Sequence, residues 1–342
     1  MLKEAIARLV LRQDLGRAEI SGAFEEIFAG HSTPAQIAGF LVALRMKGET
    51  PEEIAGAAEA MRRNATRVRV PAGRVILDTC GTGGDGSHTF NISTAVAFVA
   101  AAAGATVAKH GNRSVSSSCG SADVLSAAGV NIQAPVALVE RCLEEIGIGF
   151  LFAPSLHEVM KHVIGPRREL GVRSVFNLLG PLANPAGATH QLLGVYDAAL
   201  VAVVGRTLVA LGTTRALVVH GEGGLDEISP CGTTRAALIE NGAMVEMEIR
   251  PEELGVPLVR VEHLRGGEPE QNAEVLRALL NGAEGPLRHA VVLNAAAALW
   301  ISGAASDLRS GGEMAKEILD SGKALTKLRE LIALTTEQGK PP

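Results

Sequence analysis

Over residues 1–65 apolar positions recur every three or four residues, the period of helices that bury one face. The pattern predicts helices over Leu2–Leu11 and Arg17–Ala29, the second stopped by Gly30. Thr33-Pro34-Ala35-Gln36 and Thr50-Pro51-Glu52-Glu53 each set a hydroxyl cap, a proline at the first helical position and a Gln or Glu three residues on. Two more helices therefore start there, running to about Lys47 and Asn64. Four helices without a strand predict a small α-helical unit.

The period changes at Pro71. Short apolar runs now alternate with helical stretches: strand Val75–Asp78, helix Ser93–Ala103, strand Thr106–Ala108, helices Ala122–Ala128 and Pro135–Ile146, strand Gly149–Phe152. From Ser155 to Asn184 the chain is helical and loop-like, with no strand before about Gln191, and is expected to return to the helical unit. Strand Leu192–Val195, helix Ala198–Leu211 and strand Ala216–Val219 resume the alternation. Residues 236–249 read as a hairpin about Asn241-Gly242, a favoured two-residue turn. The tail from Gln271 is helical and includes the apolar run Ala290–Ile301. The expected fold class is α/β, with a central, mostly parallel sheet flanked by helices. A small all-helical domain (1–70, joined by about 166–187) would accompany a large α/β domain (71–165 and 188–342).

Composition narrows the function classes. The 342 residues are 47% hydrophobic and 20% charged, enough for a sizeable core. Aromatics make up only 3% and the net charge is -5. Both argue against a stacking platform or a global attraction for nucleic acid or anionic membrane, so neither partner is expected. Cys80, Cys119, Cys142 and Cys231 are far apart and form no CxxC pair, which suits a reducing compartment and no zinc ribbon. The N-terminus lacks a signal-peptide core, and the longest apolar stretches are too short or charge-broken to span a bilayer. A cytoplasmic protein is expected.

Three polar loops, each following a strand, carry the candidate chemistry. The first lies in DTCGTGGDGSHTFNIST, residues 78–94, where Gly81, Gly83, Gly84 and Gly86 precede the polar start of an apolar helix. Glycines and free helix N–H groups suit a phosphate. The spacing Gly81-x-Gly83-x-x-Gly86 fits a dinucleotide fingerprint, but Lys109-His110 stands where that motif expects an acid. Ser87-His88 likewise replaces the Lys-Ser/Thr of a P-loop. The second loop, Lys109 to Ser121, gathers two cations, an amide and several hydroxyls, a donor density that fits a highly charged phosphorylated ligand. The third contains Asp226-Glu227 between glycines, plausible Mg²⁺ ligands near a diphosphate. His157 and His162, five apart, would face different sides of one helix, so no zinc site is expected. In open α/β sheets ligands sit outside the carboxyl ends of the strands, where all three loops fall.

Together with KHGNRSVSSSCGSADVL, RRELGVRSVFNLLGPLANP and HGEGGLDEIS, the first motif resembles the anthranilate phosphoribosyltransferase family over essentially the whole chain. Glu158 and Ser174-Val175 depart from common family residues, away from the proposed chemistry. The resemblance implies transfer of the phosphoribosyl group of 5-phosphoribosyl 1-diphosphate to the amine of anthranilate, releasing diphosphate, in tryptophan biosynthesis. It implies a homodimer and two Mg²⁺ ions. Gly81, Gly84, Asp85, Thr89, Asn91, Ile92, Ser93 and Thr94 would line the phosphoribosyl diphosphate site. Lys109, His110, Gly111, Asn112, Arg113, Ser114, Val115, Ser116, Ser117 and Ser121 would complete it. Ser93 would touch one Mg²⁺, and Asp226 with Glu227 a second. Gly81, Asn112 and Arg167 would contact anthranilate, with Lys109 and Arg167 as electrostatic and orienting groups and no covalent nucleophile. A pyrimidine-nucleoside phosphorylase of shared architecture, and a nucleic-acid-binding relative without transferase activity, are the alternatives.

Overall fold

The computed structural model describes residues 1–114 and 119–337. The N-terminal helices form where the caps place them. Pro34–Lys47 and Pro51–Arg63 both begin with reciprocal capping boxes; Thr33 Oγ1 accepts from the Gln36 N–H at 3.3 Å, and Gln36 Oε1 accepts from the Thr33 N–H at 2.9 Å. Each hydroxyl cap is worth about 1 kcal/mol. Leu2–Leu9 and Arg17–Phe28 stop slightly earlier than the apolar pattern suggests. Phe24, Phe28 and Phe40 pack edge to face at the centre of this unit.

A seven-stranded sheet follows: β1 (Ile76–Gly81), β2 (Thr106–Gly111), β3 (Ile148–Phe152), β4 (His190–Gly194), β5 (Arg215–Gly221), β6 (Thr234–Glu240) and β7 (Ala243–Ile249). The spatial order is β3-β2-β1-β4-β5-β6-β7. The strands from β3 through β5 are parallel, and β6 and β7 add an antiparallel hairpin. Its turn takes left-handed backbone at Asn241 (φ 53°) and Gly242 (φ 76°), as the sequence predicts. Because β1 lies between β2 and β4, consecutive strands diverge from it, and their carboxyl ends open a crevice beside Gly81.

Strand side chains alternate between two cores. Leu192, Leu217 and Val219 face helices Ile92–Ala102 and Pro286–Ser302, whereas Leu193, Ala216 and Val218 join the core of the N-terminal helices. The returning segment does the same: Val175, Phe176, Leu178, Leu179 and Leu182 are buried there, and Phe176 sits 5.3 Å from Phe24. The N-terminal helices thus share one continuous core with a face of the sheet. This also explains why helix Phe176–Leu182 tolerates Pro181: it is short and buried against other helices.

Candidate active site

The central strands continue further than the apolar runs predict. β1 runs through Asp78 and Thr79 to Gly81, and β2 carries Lys109 and His110 inside the sheet. The sequence pattern puts Lys109 and His110 on a loop instead. Pairing of His110 with Leu151 and Gly111 with Phe152 keeps β2 extended beyond its apolar residues, so Lys109 is buried at 3% exposure. Its Nζ donates to the Thr79 carbonyl and, at 3.3 Å, to Ser93 Oγ. The Ser93 N–H donates to Glu227 Oε1 at 3.1 Å. One ammonium, the start of helix Ile92–Ala102 and a carboxylate from the third loop therefore meet at a single point.

The glycine loop closes over that point. Gly83, Gly84 and Gly86 all have left-handed backbone. The Gly83 N–H donates to Asp226 Oδ2 at 2.8 Å, and the Asp226 N–H reaches Asp85 Oδ2 at 3.4 Å. Asp85 also accepts from Ser87 Oγ at 2.6 Å, which holds Thr89 nearby. Gly81 is glycine for a reason other than phosphate approach: a Cβ there would overlap the Asp226 carboxylate. Burial, followed by repulsion from Asp85, pushes the Asp226 carboxyl up to about 7. Burial and Asp226 hold the Glu227 carboxyl well above the usual carboxylate range, with Lys109 pulling it back.

On the second loop, Asn112 Oδ1 accepts from the Arg113 N–H at 2.7 Å, and Ser121 Oγ donates to the Asn112 carbonyl at 3.4 Å. Asp123 accepts from the Ser114 N–H at 2.9 Å and pairs with Arg113 at the same distance. Val115, Ser116 and Ser117 lie outside the described residues. Arg167, on helix Lys161–Leu170, packs its guanidinium 5.2 Å over the Phe176 ring. Burial lowers its pKa, yet its side chain makes no ion pair or hydrogen bond to the described residues, which leaves its donors for a ligand. Arg167 is not bonded to the Lys109 cluster; it stands on the returning segment.

Residues 73–325 match the family model "Glycosyl transferase family, a/b domain", and residues 3–65 match "Glycosyl transferase family, helical bundle domain". The chain is 58% identical to the anthranilate phosphoribosyltransferase of Anaeromyxobacter dehalogenans (strain 2CP-C), an alignment covering 98% of this chain and 99% of that one. The chain belongs to the anthranilate phosphoribosyltransferase family. The enzyme of that family from Thermus thermophilus superposes with a TM-score of 0.92 at 45% identity, covering 97% of this chain and 99% of that one. The Saccharomyces cerevisiae enzyme, solved in complex with PRPP and Mg, superposes at 0.89 with 28% identity, covering 98% of each chain. As an anthranilate phosphoribosyltransferase, the chain carries out phosphoribosyl transfer from 5-phosphoribosyl 1-diphosphate to anthranilate in tryptophan biosynthesis. No helix among the described residues is long and apolar enough to cross a membrane.

Several residues beside the candidate site are not singled out as site residues by the sequence pattern. Asp78, fully buried on β1, accepts from the His110 N–H at 3.1 Å and from Asn184 Nδ2 at 2.7 Å. Asn184 also donates to the Ala108 carbonyl, so the returning segment is stapled beneath Lys109. Arg173 donates to the Gly84 carbonyl and stacks 4.0 Å over Tyr196. Asn294 brackets Ile228, accepting from its N–H at 2.8 Å and donating to its carbonyl at 2.9 Å, and so fixes the residue after Glu227. A polar residue inside an apolar run is the available clue for Asp78 and Asn294; Arg173 and Asn184 fall within the motif at 167–185, but no local spacing marks their partners.

The sequence places His157 and His162 on one helix. The structure breaks that helix: His157 falls between Ala153–Leu156 and a 3₁₀ turn at Glu158–Met160. His157 instead lies 5.1 Å from His110, whose Nδ1 bonds the Gly180 carbonyl. Burial depresses His110 to about 3 and His157 to about 4. Both are neutral in the fold but titrate near 6.5 when unfolded, so the unfolded state gains protons as pH falls and stability drops below about 6.5. Each costs about 1.4 kcal/mol per pH unit in that window. The raised Asp226 acts with the opposite sign, so the difference between variant and parent isolates the histidine. His157→Asn should flatten the acid limb of unfolding free energy against pH by about one proton. Urea titrations from about pH 4.5 to 8, which bracket that window, read this, and a parental slope would refute the neutral burial of His157.

Among the described residues no three of His, Cys, Asp and Glu converge as an all-protein metal cage would need. Mg²⁺ does not require one, because it keeps waters and binds through one or two carboxylates plus substrate phosphates. Two buried carboxyls driven upward by burial and by carboxylate repulsion, beside one hydroxyl, are the donor set such an ion would neutralise.

Proposed function

We propose that phosphoribosyl diphosphate lies across the carboxyl ends of β1 and β2, lined by Gly81, Gly84, Asp85, Thr89, residues 91–94, residues 109–117 and Ser121. The observation that carries this reading is the meeting of Lys109, Ser93 and Glu227 at one helix start. As diphosphate departs, positive charge builds on the ribose C1 and negative charge on the leaving oxygens. Lys109 Nζ and the N–H groups opening helix Ile92–Ala102 stabilise the negative charge as it develops. Ser93, with Asp226 and Glu227, would hold magnesium, proposed as two ions, and when bound it would supply charge neutralisation on the phosphates. The anthranilate amine needs no strong base. Arg167, with Gly81 and Asn112, would hold anthranilate so that the amine faces C1, a proximity effect.

We take 1–70 with 166–187 as the small domain and the remainder as the large one, so that Arg167 approaches from the small-domain side. A homodimer is proposed on the exposed side chains Val10, Leu11 and Met46 of the helical unit, with Ile164 on helix Lys161–Leu170. Sedimentation at the monomer mass would remove that reading. The four free cysteines favour the cytoplasm, and fractionation of expressing cells checks it.

The test is the Mg²⁺-dependent loss of anthranilate fluorescence on adding phosphoribosyl diphosphate. Absence of any loss would overturn the function. Arg167→Ala should raise the anthranilate KM by about 10- to 100-fold, the worth of a charge-assisted hydrogen bond, while the phosphoribosyl diphosphate KM stays at the parental value. An unchanged anthranilate KM removes Arg167 from recognition.

A further inference from the structure

Helix Ile92–Ala102 begins beside a segment far away in sequence. After a 3₁₀ turn at Val261–Leu264, the chain runs antiparallel to the second half of the glycine loop. The Phe90 N–H donates to the Leu264 carbonyl at 2.8 Å, and the Gly266 N–H to the His88 carbonyl at 2.9 Å. Thr89 and Arg265 form the bridge between them. A side chain at Gly266 would be tight: a Cβ would sit 3.0 Å from Asn272 Nδ2 and 3.1 Å from the Phe90 Cα and the Thr89 carbonyl oxygen. This clasp leads directly into helix Pro269–Leu280, whose first turn carries the buried Asn272.

Asn272 Oδ1 accepts from the Gly267 N–H at 2.7 Å, and its Nδ2 donates to Asn91 Oδ1 at 3.1 Å. Asn91 Nδ2 then donates to the Cys119 carbonyl at 3.0 Å. The ends of this relay dictate its direction. A backbone N–H can only donate, so Asn272 must face Gly267 with its oxygen. A carbonyl can only accept, so Asn91 must face Cys119 with its nitrogen. The remaining oxygen of Asn91 and nitrogen of Asn272 then match, and flipping either amide breaks two bonds. The relay ties the glycine loop to the segment that closes the second loop at Cys119 to Ser121. Asn91 also caps the helix through its carbonyl, which accepts from the Thr94 and Ala95 N–H groups at 3.1 and 3.2 Å.

We propose that Asn272 is a positioning residue for the diphosphate site: acting through Asn91, it sets the separation of the two phosphate loops without touching substrate. The inference rests on the reading that Asn91 lines the phosphoribosyl diphosphate site. Asn272→Asp keeps the shape and the acceptor for Gly267 but turns an oxygen toward Asn91 Oδ1. Either that contact becomes repulsive, or Asn91 flips and loses Cys119.

The experiment is a double-mutant cycle on the full-length enzyme, reading both KM values, kcat and Tm. Asn272→Asp should raise the phosphoribosyl diphosphate KM about tenfold, the loss of one buried hydrogen bond, with the anthranilate KM within about twofold; Tm falls as well, because the contact that is lost or turned repulsive is buried. In an Asn91→Ala background it should add nothing further. The proposal is overturned by an unchanged phosphoribosyl diphosphate KM, by the same rise in both backgrounds, or by equal rises in both KM values. If Asn91→Ala alone leaves that KM unchanged, the site reading itself fails, and the inference with it. Should Asn272→Asp not fold, Asn272→Ser carries the same comparison, because a hydroxyl can still serve Gly267 but is too short for Asn91.

Discussion

Lys109→Met is expected to cut turnover by about 10²–10³-fold, the typical cost of removing one preorganised donor from a developing anion. Methionine keeps much of the length of the stem, so packing between β1 and β3 survives while the ammonium goes. Lys109 is buried, bonded to the Thr79 carbonyl and Ser93 Oγ, and is the cation that moderates both Asp78 and Glu227. Its loss leaves those carboxyls with less charge compensation, so some fall in Tm accompanies the kinetic defect. The two effects separate by measurement. Anthranilate fluorescence gives kcat on protein whose circular dichroism shows a folded state at the assay temperature. A folded variant with kcat within about threefold of the parent, against the loss expected for a missing donor, would take Lys109 out of the chemistry.

Gly194→Ala should be almost as damaging, although residue 194 is not among the proposed substrate-lining residues. A methyl there would overlap the Asp226 carbonyl oxygen, which is backbone and cannot rotate away. Gly81 and Gly221 press on the same loop; a Cβ at Gly221 would lie 2.5 Å from the Glu227 carbonyl oxygen. The third loop must therefore shift as a unit, carrying Asp226 off the Gly83 N–H and Glu227 off the Ser93 N–H. Displacement of about 1 Å in a positioned group costs on the order of 100-fold. The defect should appear as lowered kcat/KM that excess Mg²⁺ only partly restores. Gly39→Ala, which meets no atom within 4 Å, is the control for handling and stability. A Gly194→Ala enzyme with parental kcat/KM at every Mg²⁺ concentration would show that the carboxylate loop need not be held this closely.

The elements with a local cause are legible in the chain. Capping boxes at Thr33 and Thr50 set two helix starts, and Asn241-Gly242 sets the hairpin, because a few adjacent residues satisfy these motifs. The three loops are recognisable because glycine, cations and paired carboxylates cluster after apolar runs. Strand ends are less legible. Lys109 and His110 read as loop because periodicity sees a charge and infers water. In the fold, parallel pairing to β3 and a bond from Lys109 to Thr79 make burial tolerable.

The first loop separates the two levels most clearly. Adjacent residues are enough to establish that a glycine-rich turn precedes a helix and that Lys109 and Asp226-Glu227 occupy similar positions after other strands, a pattern suited to a phosphorylated ligand; phosphoribosyl transfer is what the family resemblance of these motifs implies. Packing in three dimensions is what makes Gly81 and Gly194 small to admit Asp226, braces the loops with Asn184 and Asn294, and brings Asn272 to Asn91. A helix cap or tight turn closes its hydrogen bonds among near neighbours, so its rule is written in adjacent letters. The partners of Asp226 and Asn272 are brought in by strand order and helix packing across more than a hundred residues, and no local period encodes which distant groups those will be.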